Sequence, residues 1–166
     1  MMKQYLVSVM GPDQRNFLHK LSEQTLALNG RWISNKVCHF EGRMAAIFKL
    51  EIAEDAVAKF EAVLQRFEHI TYDIAPISPK EDNHPIEVHM HIEGEDRNGL
   101  TTEITEKLKD YDVHIGHFES QRLPVVGVSN GVYTAQITAF LPNSIDPEEL
   151  KSDLEGLHSK FRVEYQ

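Results

Sequence analysis

The chain has 166 residues, 41% hydrophobic and 26% charged, the balance of a soluble globular protein of one ordinary domain or two small ones. Its net charge of −9 sits mainly in the second half: residues 1–83 carry 10 Lys and Arg against 11 Asp and Glu, and residues 84–166 carry 7 against 15. No basic stripe is available to displace phosphate counterions, no apolar run approaches the roughly 20 residues of a bilayer span, and one cysteine makes neither an internal disulfide nor a cysteine-only zinc site. Direct nucleic-acid binding and membrane insertion are therefore not expected, and a cytoplasmic location fits.

Residues 5–10 (YLVSVM) form a short run of strand-forming residues, broken by Gly11, Pro12 and Asp13. Leu18, Leu21 and Leu28, with Thr25 between them, then recur at helical spacing until Asn29 and Gly30 stop the pattern. Residues 32–40 and 44–52 read as two strands joined by a hairpin turn at Glu41 and Gly42. Asp55 opens a second helix whose face is Val57, Phe60, Leu64 and Phe67, and residues 71–77 close the unit as a strand. Residues 78–85 are polar and proline-containing without apolar periodicity, which predicts a linker.

The pattern then begins again. Ile86, Val88, Met90 and Ile92 alternate with polar residues, and Leu100, Ile104, Leu108 and Tyr111 make a helical stripe. Residues 113–123 and 132–141 read as strands around a longer hairpin. Asp146, Pro147 and Glu149 supply an N-cap, a first-turn proline and an acidic third position, and Leu150, Leu154 and Leu157 give that helix its face. Residues 161–165 are the last strand. The order β-α-β-β-α-β thus occurs twice, at an offset of 83 residues that sets Gly11 on Gly94, Asp13 on Asp96 and Phe17 on Leu100. This predicts an α+β protein of two ferredoxin-like units, 1–77 and 86–166. Each would be a four-stranded antiparallel sheet with two helices on one face. Small units with one open sheet face tend to pair, so a homo-oligomer is expected.

The loop Gly94-Glu95-Asp96-Arg97-Asn98-Gly99-Leu100 resembles the G-x-D-R-x-G-[LI] loop of ACT domains, the ligand-sensing modules of amino-acid metabolism. The first copy keeps Gly11, Pro12 and Asp13 but has Gln14 for the arginine, Asn16 for the second glycine and Phe17 for the leucine. The tandem arrangement, with local echoes at Gly11-Pro12-Asp13 and over residues 132–139, resembles the glycine cleavage system transcriptional repressor family. That resemblance implies a non-enzymatic sensor of an amino acid, with glycine the candidate. It also implies control of transcription through a partner regulator, not through contact with DNA.

In the second loop the candidate ligand-binding residues are Asp96, Arg97, Asn98, Gly99, Leu100 and Thr101. Gly99 permits positive φ and close approach, the first-turn N–H groups of Leu100, Thr101 and Thr102 suit a carboxylate, and Asp96 suits an ammonium group. The plainer alternative is a β-to-α turn in which Asp96 caps the helix and Arg97 is solvated. The first-unit counterparts, Gly11, Asp13, Asn16 and Phe17, are expected to bind weakly or with altered preference, with Asn16 holding the backbone shape of Gly99.

Six of the nine histidines lie in the second half, and His89 and His91 share one strand face. A metal-responsive module built on them with His114 or His117 is one rival function, and a ligand-free dimerisation or docking module is another. Solvated or interface histidines are the simpler reading, so no metal or other cofactor is assigned. Cys38 and His39 are strand neighbours facing opposite sides, which favours a buried or half-buried cysteine over a nucleophile. No constellation joins a nucleophile, a base and an oxyanion site, so no catalytic residue is assigned.

Overall fold

Alternating burial along β1 (Met2–Pro12) places Tyr5, Val7 and Val9 in a core and leaves Leu6 and Met10 outside. The same alternation on β3 (Arg43–Ala53) buries Met44, Ala46, Phe48, Leu50 and Ile52. These strands pair antiparallel along their whole length, so one face of the sheet is continuous hydrocarbon. Two helices cover that face. α1 (Phe17–Ala27) buries Phe17, Leu21 and Thr25, and α2 (Val57–Leu64), entered through a 3-10 turn at Glu54–Ala56, buries Phe60, Val63 and Leu64. β2 (Arg31–Phe40) and β4 (Thr71–Pro76) complete the antiparallel order β2-β3-β1-β4.

A computed structural model describes residues 1–77, 86–127 and 129–166. The chain divides into two units, Met1–Lys80 and Glu81–Gln166. The linker predicted over 78–85 lies outside the described residues.

The second unit repeats the plan. β5 (Ile86–Glu95), β6 (His114–Leu123), β7 (Val132–Leu141) and β8 (Arg162–Tyr165) form an antiparallel sheet in the order β6-β7-β5-β8. α3 (Leu100–Asp110) and α4 (Pro147–Glu155) supply Leu100, Ile104, Leu108, Leu150 and Leu154 to its core. Asp146 caps α4 by accepting the N–H of Glu148 at 2.9 Å, as its sequence predicts. Even irregularities repeat, because β2 and β6 carry register shifts at equivalent places, between Trp32 and Ser34 and between Ile115 and His117. The two ferredoxin-like units expected from the periodicity are therefore present.

Three details differ from expectation. α2 ends at Leu64 and α4 at Glu155, so Phe67 and Leu157 belong to the turns that follow, not to the helices. Phe67 nevertheless packs edge-on against Phe17, with ring centroids 4.7 Å apart. Cys38 is exposed, not buried. It lies on β2, an edge strand, and pairs in register with Ala45 on the sheet face away from the helices.

Candidate functional site

Each unit's loop begins on the last residues of its first strand. Gly94 is buried there against the entry to β8: a Cβ on it would lie 2.6 Å from Phe161 Cε1 and closer still to Cδ1. Gly11 is packed the same way: a Cβ on it would lie 3.0 Å from both the His69 carbonyl and Ile70 Cγ2. The first glycine of each motif therefore makes room for the last strand. Gly11, a sequence candidate for ligand contact, sits in this packed floor.

The second glycine position sets the turn into the helix. Gly99 has φ 88° and ψ −5°, and Asn16 reaches nearly the same corner at φ 61° and ψ 19°. A left-handed residue with a Cβ is strained by roughly 1–2 kcal/mol, which asparagine tolerates better than most. Asn16 thus keeps the backbone path while adding a side chain where the second loop has none. The Asn16 side chain does not cap α1, and Gly99 has none to offer α3. In the second loop the first helical bond runs from the Glu103 N–H to the Gly99 carbonyl at 3.0 Å, and the N–H groups of Leu100, Thr101 and Thr102 precede it.

Asp96 does not cap α3. Its backbone N–H donates to the Gly131 carbonyl at 3.0 Å, and Arg122 Nη1 donates to both of its carboxylate oxygens, at 2.9 and 3.1 Å. The Asp96 side chain is only 15% exposed, which makes Arg122 its main counter-charge. The first unit repeats this with weaker chemistry. The Asp13 N–H donates to Gly42 at 2.9 Å, and its carboxylate lies 3.4 Å from His39 Nε2. His39 and Arg122 are 83 residues apart, so each occupies the same place on the second strand of its unit.

Arg97 is not solvated either. It forms two 2.6 Å hydrogen bonds to Glu103 and donates to the Leu157 carbonyl at 3.3 Å. The paired guanidinium holds the Glu103 carboxyl below its ordinary range, and the Glu103 hydrogen bonds raise Arg97 in turn. At the equivalent place Gln14 donates to the Glu68 carbonyl at 2.7 Å. The tie from the loop to the end of the second helix is thus kept in both units, while the ion pair exists in one.

Leu100 and Phe17 are fully buried or nearly so, at 0% and 2% exposure; Leu100 can offer a ligand only its backbone N–H, and the Phe17 N–H already donates to the Gln14 carbonyl at 3.1 Å. Thr101 faces the loop, with its hydroxyl 3.1 Å from that of Tyr133, and the Arg122 guanidinium stands over the Tyr133 ring 5.9 Å from its centre. Leu18 occupies the position of Thr101 in the first unit, and Met44, opposite Gly11 in the sheet, that of Tyr133, opposite Gly94. Asp96, Arg97, Asn98, Arg122 and Asn130 together line a hollow of about 380 Å³. The counterpart around Asp13, Asn16, His39 and Met44 holds about 220 Å³. Sequence reasoning missed Arg122, Tyr133 and Asn130. The shared 83-residue offset of His39 and Arg122 was the available signal, but it acquires meaning only once the sheet register is known.

The cluster brings a carboxylate and two guanidinium groups to one hollow, and the Thr101 hydroxyl is partnered by the Tyr133 phenol. The histidines on the outer face of β5 make separate local pairs. His89 contacts Thr138 at 3.1 Å and Glu87 at 3.3 Å, and His91 lies 3.8 Å from Glu93. β7 separates β5 from the strand bearing His114 and His117. Among the described residues no three His, Cys, Asp or Glu side chains group as a metal site, and no helix is long and apolar enough to cross a membrane.

No family model and no curated protein matches the sequence. Two solved structures share the fold over the full length. An unknown protein from Galdieria sulphuraria aligns with a TM-score of 0.86 at 18% identity, covering 100% of this chain and 98% of that one. A structure provisionally named a glycine cleavage system transcriptional repressor aligns with a TM-score of 0.71 at 12% identity, again covering 100% and 98%.

Proposed function

We propose that the chain is a non-enzymatic regulatory protein that senses a free amino acid at the second loop. Asp96 beside Arg122 is the observation that carries this reading. An α-amino acid presents an ammonium group and a carboxylate two bonds apart, and this pair offers one counter-charge to each. The N–H groups at the start of α3 add donors for the carboxylate, and the αL corner at Gly99 leaves the approach open. The hydroxyls of Thr101 and Tyr133, replaced by Leu18 and Met44 in the first unit, support the second loop as the stronger site.

Glycine is the candidate ligand. The ACT-like motif and the structural likeness to the provisionally named repressor both support that choice. The acidic charge of the second half supports action through a partner transcription regulator and not on DNA. Such a sensor works only if ligand favours one packing of units or of chains over another, so assembly into homo-oligomers belongs to the proposal.

Titration calorimetry of the full chain against the twenty amino acids tests it. One or a few are expected to bind, and Arg122→Ala or Asp96→Ala should each weaken binding about tenfold or more, as for a lost charge-assisted hydrogen bond. Heat from none of them would refute sensing. It would favour a ligand-free docking module, a reading supported by Asp96 and Arg122 already satisfying each other.

A further inference from the structure

The first unit has a second concavity, separate from the Asp13–His39 pair. It is an open groove of about 630 Å³ between α1 and the turn after α2. Val63 and Phe67 form its apolar base, and Phe67 is fixed edge-on against the buried Phe17 ring. Lys20 from α1 and Arg66 from the turn bring two cations to it from different elements. Neither cation makes a hydrogen bond or an ion pair with any described residue. Two acids line it as well, Glu23 and Glu68. Glu23 lies 3.6 Å from His19 one turn away, and both carboxylates stand at the rim as counter-charges that a ligand's anionic group must pass.

The repeat explains why the space exists. In the second unit Arg97 reaches across this region and locks onto Glu103. At the equivalent positions, 83 residues earlier, stand Gln14 and Lys20. The cation has become neutral and its carboxylate partner has become a cation. What bridges the surface of one unit by an internal ion pair is left in the other as an open groove in which Lys20 and Arg66 have no bonded partner among the described residues.

We propose that this cleft binds a small anion carrying a flat apolar group. Its carboxylate or phosphate meets Lys20 and Arg66, and its ring lies on Val63 and Phe67. The proposal is independent of amino-acid binding at the second loop. Aromatic rings and charge-assisted hydrogen bonds give such ligands both orientation and affinity.

Benzoate and phenyl phosphate, with acetate and inorganic phosphate as ring-free controls, can be titrated into the full chain while the Val63 methyl and Phe67 ring resonances are followed by NMR. Saturable shifts are expected with at least one ring-bearing anion and not with its ring-free control. The double variant Gln14→Arg/Lys20→Glu, which recreates the Arg97–Glu103 pair, should weaken binding about tenfold or more. Arg66→Ala, which leaves Gln14 and Lys20 in place, should do likewise, whereas Arg122→Ala should leave this binding unchanged. Absence of saturable shifts would overturn the proposal. So would equal shifts from the ring-free anions, or unchanged affinity in both cleft variants.

Discussion

Replacing Gly94 by alanine tests the packing that holds the second loop in place. The new methyl would stand 2.6 Å from Phe161 Cε1, against the roughly 3.5–4.0 Å of a relaxed carbon contact. Phe161 is 6% exposed and enters β8, so its ring has little freedom to withdraw. Overpacking of this kind costs about 1–3 kcal/mol. For a unit of this size each kcal/mol lowers Tm by roughly 4–8 °C, so a fall of about 5–20 °C is expected in the transition of the second unit. Differential scanning calorimetry of the full chain measures it. The cost should largely vanish when the ring is shortened, so Gly94→Ala in a Phe161→Leu background should change Tm little. A parent-like Tm for the single variant would refute the reasoning, and so would an undiminished loss in the double variant.

Gly99→Val should place a β-branched residue at φ 88°, abolishing amino-acid binding while the far-ultraviolet circular dichroism stays that of a folded chain. Retained affinity would move the site away from this corner. Tyr111 and Tyr165 are both pushed up to about 12, Tyr111 chiefly by donating a hydrogen bond to Asp153 and Tyr165 chiefly by burial. Their folded pKa values lie above the unfolded one near 10, so their stabilisation is complete below about pH 10 and is lost as pH rises toward 12. Ultraviolet titration should show these two ionising near pH 12, and Asp153→Asn should bring Tyr111 down. Glu103 and Glu95 are held low by Arg97 and Lys160, so their contribution is present above the ordinary carboxylate range and lost as pH falls through the lowered values. Urea midpoints of Glu103→Gln should therefore depend less on acidification than those of the parent.

The repeated β-α-β-β-α-β order was legible because both of its physical signals are local. Strand alternation at Ile86, Val88, Met90 and Ile92, and the helical stripe of Leu100, Ile104 and Leu108, need no knowledge of the rest of the chain. The helix ends were less legible. Phe67 and Leu157 continue the apolar period of their helices but face the core from the turns beyond them. The site was half legible. The αL corners at Asn16 and Gly99 follow from residue type, but the partners of Asp96 and Arg97 do not. Arg122 reaches Asp96 only through the pairing of β6 with β7 and of β7 with β5. Glu103 lies six residues beyond Arg97, a spacing that no helix rule connects because a loop intervenes. Cys38 was misplaced because strand alternation assigns it a face of the sheet without showing that the helices cover only the other one.

The hairpins that follow β2 and β6 differ in length but spring from the same register. His39 faces Met44 in one unit and Arg122 faces Tyr133 in the other, six residues longer. The extension brings Asn130 to Glu95 and to the rim of the Asp96 hollow, while the turn at Glu41 and Gly42 leaves the first loop with no equivalent. Because both hairpins are anchored by strand pairs already fixed in the sheet, their length can vary without disturbing a core side chain. Evolvability is the consequence: the surroundings of the acidic loop can be reshaped by lengthening or trimming a surface ribbon, while the repeated scaffold beneath stays as it is.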